Sequence, residues 1–376
     1  MFYAVLAYLS YPLVYILSRF SSGKMDSVLV FQTAKIGDMI ATSPVFREIK
    51  KRLPAARLGV VAEPVCAPLL EYNPHIDEVI VFDGKLARGL LKKISFAMTL
   101  KRMKWSAAVI LMPNSANMLA AFWAGIPLRV AVRPDFIGTT QRLLMGINTH
   151  NVAHRGRRSV ETYLKCLEHL GVRAGDIEKE VYSAPGVEFD DYVKGKGPFI
   201  GIAAGTANKL KDWGAQRFAI LTEMIMDKTP ATLIFFGSGE DRRGAEKIIA
   251  AVDMKERAEN LCGSLRLSEL PAIIKNLSLV IGVDTGLVYM ADALGVPVID
   301  IAGPSDMEDQ RPTGPGSFII QKKGLDCVPC SHTFKTPYKC RYGHRRCVED
   351  ITPEEVFNVL LRIIPAFADS RSGLSS

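Results

Sequence analysis

Some residues in this 376-residue chain have the types and spacing that chemistry needs. Asp284-Thr285-Gly286 ends the apolar run 279–283 and precedes a small-residue segment that stops at Gly295-Val296-Pro297. An unbroken apolar run of this kind reads as a parallel strand covered on both faces. The turn after it reads as a helix start capped by Asp284 or Thr285. Free N–H groups and the positive end of such a helix suit a phosphate, although an ordinary capped strand–helix turn has the same sequence. A second group is the long polar stretch 133–158, with Arg142, His150, His154, Arg155, Arg157 and Arg158. It reads either as a solvated basic loop or as an electropositive floor for a phosphorylated acceptor, to which arginine offers bidentate contacts. The third group is Cys327, Cys330, Cys340, His344 and Cys347. A Cys-x-x-Cys pair with two further cysteines has the ligand types of a tetrahedral zinc site, with less fitting spacing. A reduced packed loop and a disulfide are the other readings.

Composition sets the bounds. The chain is long enough for two domains, and 48% of its residues are apolar, so large cores are affordable. A net charge of +8 favours anionic partners. No helix-turn-helix, zinc-finger or RNA-binding aromatic signature accompanies that charge, which argues against nucleic acid. Seven cysteines, an odd number in a large chain, argue against a secreted disulfide scaffold. Cys66, Cys166 and Cys262 sit in apolar segments and read as small buried hydrophobes.

These groups must be positioned by alternating strands and helices. Strands are expected at 27–33, 57–63, 78–82, 107–112 and 128–132, with helices after the first, at 64–70, 85–104 and 116–125. The alternation breaks over 133–158, and a helix over 159–170 follows. The polar stretch 173–197 reads as an interdomain linker. Strands at 198–206, 231–237, 260–263 and 279–283, with helices to 226 and over 267–276, form a second half, closed by a helix from Thr352-Pro353 to about 364. Such alternation implies parallel doubly wound sheets. Residues 1–17 are apolar and uncharged with Pro12 inside. They lack a basic start and a cleavage site, so they read as an interfacial segment or short anchor in a membrane, or as an arm packed on protein.

Residues 27–365 resemble the glycosyltransferase family 9 proteins, the bacterial ADP-heptose:lipopolysaccharide heptosyltransferases. The resemblance rests on Val28-Leu29-Val30-Phe31, Ile36-Gly37-Asp38, Ser43-Pro44, Asn73-Pro74-His75-Ile76-Asp77-Glu78-Val79, Thr206, Lys211-Asp212-Trp213, Gly237 to Glu240, Asp284-Thr285-Gly286 and Gly303-Pro304-Ser305-Asp306, in the family's order. It implies an α/β, GT-B architecture: two Rossmann-like doubly wound domains facing across a cleft. The arm is then 1–22, the acceptor-side domain 27–185, the donor domain 198–350 and a C-terminal helix 351–368.

The resemblance also implies an activity, inverting and metal-independent transfer of heptose from ADP-heptose to an anionic, lipid-linked lipopolysaccharide core. The place would be the cytoplasmic side of the inner membrane, with peripheral contact. Asp38 falls where the family has its general base. The leaving diphosphate needs fixed positive partners, for which Lys211, then Lys209, with Thr206 and the N–H groups of Thr285 and Gly286, are candidates. Glu240 would accept from the ribose hydroxyls, and Asp284 belongs to the same donor cradle. Arg142, His154, Arg155, Arg157 and Arg158 are candidates for the acceptor. Tyr289 stands where the family commonly has histidine, which leaves room for another nucleotide sugar or glycan acceptor. A non-catalytic nucleotide-binding protein is the alternative from another class. An oxidoreductase is disfavoured, because the strand–turn–helix at 27–38 lacks the dinucleotide glycine fingerprint.

Overall fold

A computed structural model describes residues 1–19, 25–84, 89–156, 158–195 and 197–363. The chain divides into two compact units, Met1–Lys179 and Glu180–Ser376.

The first unit opens with helix α1 (Phe2–Arg19). Six parallel strands follow: β1 (Ser27–Gln32), β2 (Arg57–Ala62), β3 (Glu78–Val81), β4 (Ala107–Ile110), β5 (Leu128–Arg133) and β6 (His150–Ala153), in the order β3-β2-β1-β4-β5-β6. The crossover helices are α2 (Ile36–Arg52), α3 (Ala67–Leu70), α4 (Leu90–Met103), α5 (Ser115–Trp123) and α6 (Thr139–Leu144), and α7 (Ser159–Leu167) follows β6. Every residue of β1 is buried, as the apolar run requires of a central strand. Leu29 pairs with Gly59 on one side and Ala108 on the other. A Cβ at Gly59 would collide with the Trp105 ring, so this strand position must be glycine for the indole to lie against the sheet.

The stretch 133–158 differs from its sequence reading. It contains α6 and the edge strand β6, which pairs Val130 with His150. His-Asn-Val-Ala is too short and polar to announce a strand, and an edge strand needs only one neighbour. Residues 85–88, at the start of the expected helix 85–104, lie outside the described residues.

The second unit repeats the plan with β7 (Phe199–Ala203), β8 (Thr232–Phe235), β9 (Ala258–Asn260), β10 (Leu279–Val283), β11 (Val298–Ile301) and β12 (Ser317–Ile320), ordered β12-β11-β10-β7-β8-β9. Its helices are α8 (Ala215–Lys228), α9 (Arg242–Ala250), α10 (Leu270–Ile274), α11 (Gly286–Ala293), α12 (Arg346–Glu349) and α13 (Pro353–Ile363). Edge strand β12 was not among the expected strands, although Phe318-Ile319-Ile320 is an apolar run, and β9 ends where the strand at 260–263 was expected to begin. Helix α13 buries Val356, Phe357 and Leu360 in the core beneath α8 and β11, so it is part of this unit. The architecture is the α/β, two-domain GT-B fold with a parallel six-stranded sheet in each half.

Candidate active site

The carboxyl end of the second sheet collects the candidate donor residues. The loop between β7 and α8 is fixed from both sides. Trp213 is fully buried, stands edge-on to Phe218 at 4.8 Å between centroids, and donates its Nε1–H to the Ile351 carbonyl at 2.9 Å. Burying an indole contributes about 3 kcal/mol, enough to pin the residues before it. Arg345 donates to the Lys209 and Asp212 carbonyls at 2.7 and 3.1 Å. Buried Asn208 accepts from the Leu210 N–H at 3.1 Å and donates to the Pro337 carbonyl at 3.0 Å. Gly214 starts α8 with a φ of 99°, a conformation that a side chain would strain.

This loop delivers Lys211 to Asp284. Lys211 Nζ lies 2.5 Å from Asp284 Oδ2, and the buried Ser305 hydroxyl donates to the same oxygen. Burial alone would raise the Asp284 carboxyl. The Lys211 ammonium and the Ser305 and Tyr289 hydroxyls together outweigh it and hold the group below its ordinary value. Asp284 is therefore a charged anchor for Lys211. Thr285 occupies the N-cap position of α11, but neither it nor Asp284 makes the expected side-chain cap. The Thr285 hydroxyl oxygen is instead buried and has no hydrogen-bond partner. Tyr289 is also buried, and its hydroxyl oxygen lies 3.0 Å from the Gln310 carbonyl, so the two acceptors, this carbonyl and Asp284, share its single proton.

Behind this pair lies a carboxyl that the sequence reading passed over. Asp300 is fully buried on β11, next to Gly282 of β10, and neither carboxyl oxygen has a hydrogen-bond partner. Burial, then the nearby Asp284 charge, push it well above the usual carboxylate range. An acidic residue inside Val-Ile-Asp-Ile was the signal that could have found it. Ser305, Asn208 and Arg345 had no local signal of this kind.

Thr206, Lys209 and Glu240 line a separate cavity of about 190 Å³, with Asp241, Phe218 and Cys262. Gly205 and Gly237 lie so close to the Asp241 carboxylate that a Cβ at either would collide with it. Asp241 accepts from the Ser238 N–H and hydroxyl at 2.8 and 2.7 Å, which shapes the rim where Glu240 stands exposed. Lys209 is mostly exposed and lies 3.6 Å from Asp212.

In the first unit, Asp38 sits in the first turn of α2, just beyond the carboxyl end of β1. Its Oδ2 accepts from the Lys35 N–H at 3.2 Å, so the side chain caps the helix while staying half-buried. Among the acceptor candidates, Arg142 and Arg155 are exposed and Arg158 is the N-cap of α7. His154 is buried, its Nδ1 2.9 Å from the Thr162 hydroxyl, which joins the end of β6 to α7. Arg157 lies outside the described residues.

The structure gives the zinc reading no support. Cys327, Cys330, Cys340 and Cys347 line one cavity of about 180 Å³ with His344, and all four are free thiols, which excludes the disulfide reading here. Among the described residues, no three His, Cys, Asp or Glu side chains are arranged to hold a metal. Burial, then the neighbouring sulfurs, push the Cys347 thiol up to about 11.

The description glycosyltransferase family 9 (heptosyltransferase) matches residues 94–340. The chain belongs to this family. It is a glycosyltransferase. The family member is 24% identical over 351 residues to lipopolysaccharide heptosyltransferase 2 of Escherichia coli (strain K12), covering 89% of this chain and 97% of that protein. Its fold is similar to the family 9 glycosyltransferase of Veillonella parvula DSM 2008, with TM-score 0.75, 20% identity and coverage of 92% and 99%. It is also similar to the E. coli heptosyltransferase WaaC solved with ADP-2-deoxy-2-fluoro heptose, with TM-score 0.69, 15% identity and coverage of 89% and 99%.

Proposed function

We propose that this glycosyltransferase moves heptose from ADP-heptose to a lipid-linked lipopolysaccharide core, with inversion and without a metal ion. The two E. coli relatives named above are heptosyltransferases, one of them solved with ADP-2-deoxy-2-fluoro heptose. The observation that carries the reading is Lys211, held by Asp284 and Ser305 at the opening of α11.

Inverting transfer needs a base for the acceptor hydroxyl and positive charge for the leaving diphosphate. The reading assigns the acceptor to the first unit and the donor to the second. Asp38 takes the acceptor proton as its oxygen attacks the anomeric carbon. ADP departs toward Lys211 and the N–H groups of Thr285 and Gly286, where the dipole end of α11 adds to the ammonium. Thr206 and Lys209 add to the diphosphate grip, and Glu240, in the same cavity, accepts from the ribose hydroxyls. Asp284 and Tyr289 act behind this cradle, Asp284 by orienting Lys211. Arg142, Arg155, Arg157 and Arg158 meet acceptor phosphates. The enzyme works at the cytoplasmic face of the inner membrane, as a lipid-borne acceptor requires.

A donor screen with purified protein tests the reading by measuring released ADP, UDP or GDP with deacylated core oligosaccharide as acceptor. ADP release from ADP-heptose alone is expected. Release of UDP or GDP instead would replace the donor, and no acceptor-dependent release from any donor would end the proposal.

A further inference from the structure

Helix α1 has two apolar faces. One is spent on its own unit: Ala4, Ala7 and Val14 are buried in the first core, and Tyr11 stacks on Phe122 of α5 at 5.7 Å. Three hydrogen bonds fix the pose: Trp123 Nε1 donates to the Ser10 hydroxyl at 3.2 Å, Tyr8 to the Leu143 carbonyl at 2.8 Å, and the Met1 amine to Thr140 at 3.1 Å. The opposite face presents Phe2, Val5, Leu9, Leu13 and Ile16, spaced three or four residues apart, with Leu9 74% exposed. Helix α4 packs on the same α5 and carries Leu91, Ile94 and Met98 outward, Leu91 being 83% exposed. Lys93 Nζ lies 5.2 Å from the Tyr3 ring centroid and ties the two helices together. An exposed apolar surface of this extent marks an interaction site.

Its charge names the partner. Neither α1 nor α4 contains an Asp or Glu, while Lys92, Lys93, Lys101 and Arg102 lie on α4 and Arg142 on α6. Apolar side chains with a cationic border, on two helices that hold no Asp or Glu, match a bilayer whose headgroups are negative. Among the described residues, no helix is long and apolar enough to cross a membrane. Helix α1 lies against α5 and α6 of its own domain.

We infer that α1 and α4 form a membrane-docking surface. The Leu9, Leu13 and Leu91 side chains enter the interface of an anionic bilayer, and Lys92 and Lys93 meet its phosphates. This inference rests on the reading that the acceptor is lipid-borne, and gives that reading a surface.

The test is co-sedimentation of the full chain with vesicles of phosphatidylcholine alone or with phosphatidylglycerol added, no acceptor being present. Binding to the anionic vesicles is expected, falling with salt. Leu9→Glu with Leu13→Glu should abolish it, and Lys92→Gln with Lys93→Gln should weaken it roughly thirty-fold. Circular dichroism melting confirms that the variants fold, and ADP titration calorimetry reports the donor site separately. Wild-type protein left in the supernatant, or vesicle binding unchanged in the Leu9/Leu13 variant, overturns the surface. A dimer seen by light scattering and dissolved by the same substitutions would assign the face to a second copy instead. Intact ADP binding in any of these cases leaves the transferase reading standing, whereas its absence in the wild type sinks that reading alone.

Discussion

Lys211 and Asp284, 73 positions apart in sequence, form an ion pair with 2.5 Å between Nζ and Oδ2, and the carboxylate side of the pair is almost wholly buried. Such a pair does more to orient the cation than to stabilise the fold, because desolvation offsets much of the attraction. Removing only the lysine strands a buried charge. Lys211→Ala should cost on the order of 3 kcal/mol of stability and weaken ADP binding at least tenfold, a charge-assisted bond being lost. Thermal melts and ADP calorimetry measure both, and equal ADP affinity in the two proteins would remove Lys211 from the cradle.

Asp38 joins a helix start to a proposed proton transfer, and the two roles differ in magnitude. Loss of the bond to the Lys35 N–H should cost about 1 kcal/mol. Loss of a general base should lower kcat by about 10²- to 10⁴-fold. Asp38→Ala is therefore expected to fold, bind ADP normally and fail in transfer. Turnover within a few-fold of wild type would show that the carboxylate only caps.

Asp300 makes stability depend on pH in a definite direction. Its pKa is raised in the folded protein, so its contribution is fully present below the unfolded value of about 3.9 and is lost as pH rises toward the folded value. Asp284 has the opposite sign: its lowered pKa gives stability above the unfolded value that is lost in acid. Asp300→Asn removes only the first effect. The variant should gain on the wild type as pH rises above about 3.9, measured as urea midpoints. A difference independent of pH would mean that Asp300 is ionised in the fold.

The cysteine loop should behave as reduced packing. Freshly purified protein is expected to hold far less than one equivalent of zinc or iron by elemental analysis. Alkylation of Cys347 should be slow near neutrality and accelerate toward pH 11, where its thiol ionises. Stoichiometric metal that resists dialysis would restore the metal reading.

Local pattern carried far in this chain. The buried runs at 27–32 and 279–283, the glycine-bearing turns after them and the Thr352-Pro353 helix start were legible, because strand burial, capping and backbone preference act within a few residues. Motif order was enough for the family. Thr206, Lys209 and Glu240 were each nameable from the chain alone, and the fold brings them to one cavity.

What the sequence could not decide depends on partners far along the chain. Nothing near Lys211 says that Asp284 and Ser305 will hold it, and nothing near His154 or Tyr289 says that each will be buried against a hydroxyl or a carbonyl. Strand β6 is an edge, so a single neighbour supplies its hydrogen bonds and little apolar patterning is needed to hold it. Which apolar face of α1 is spent on its own domain, and which stays outside, is likewise a matter of tertiary packing, since the helix is apolar nearly all round.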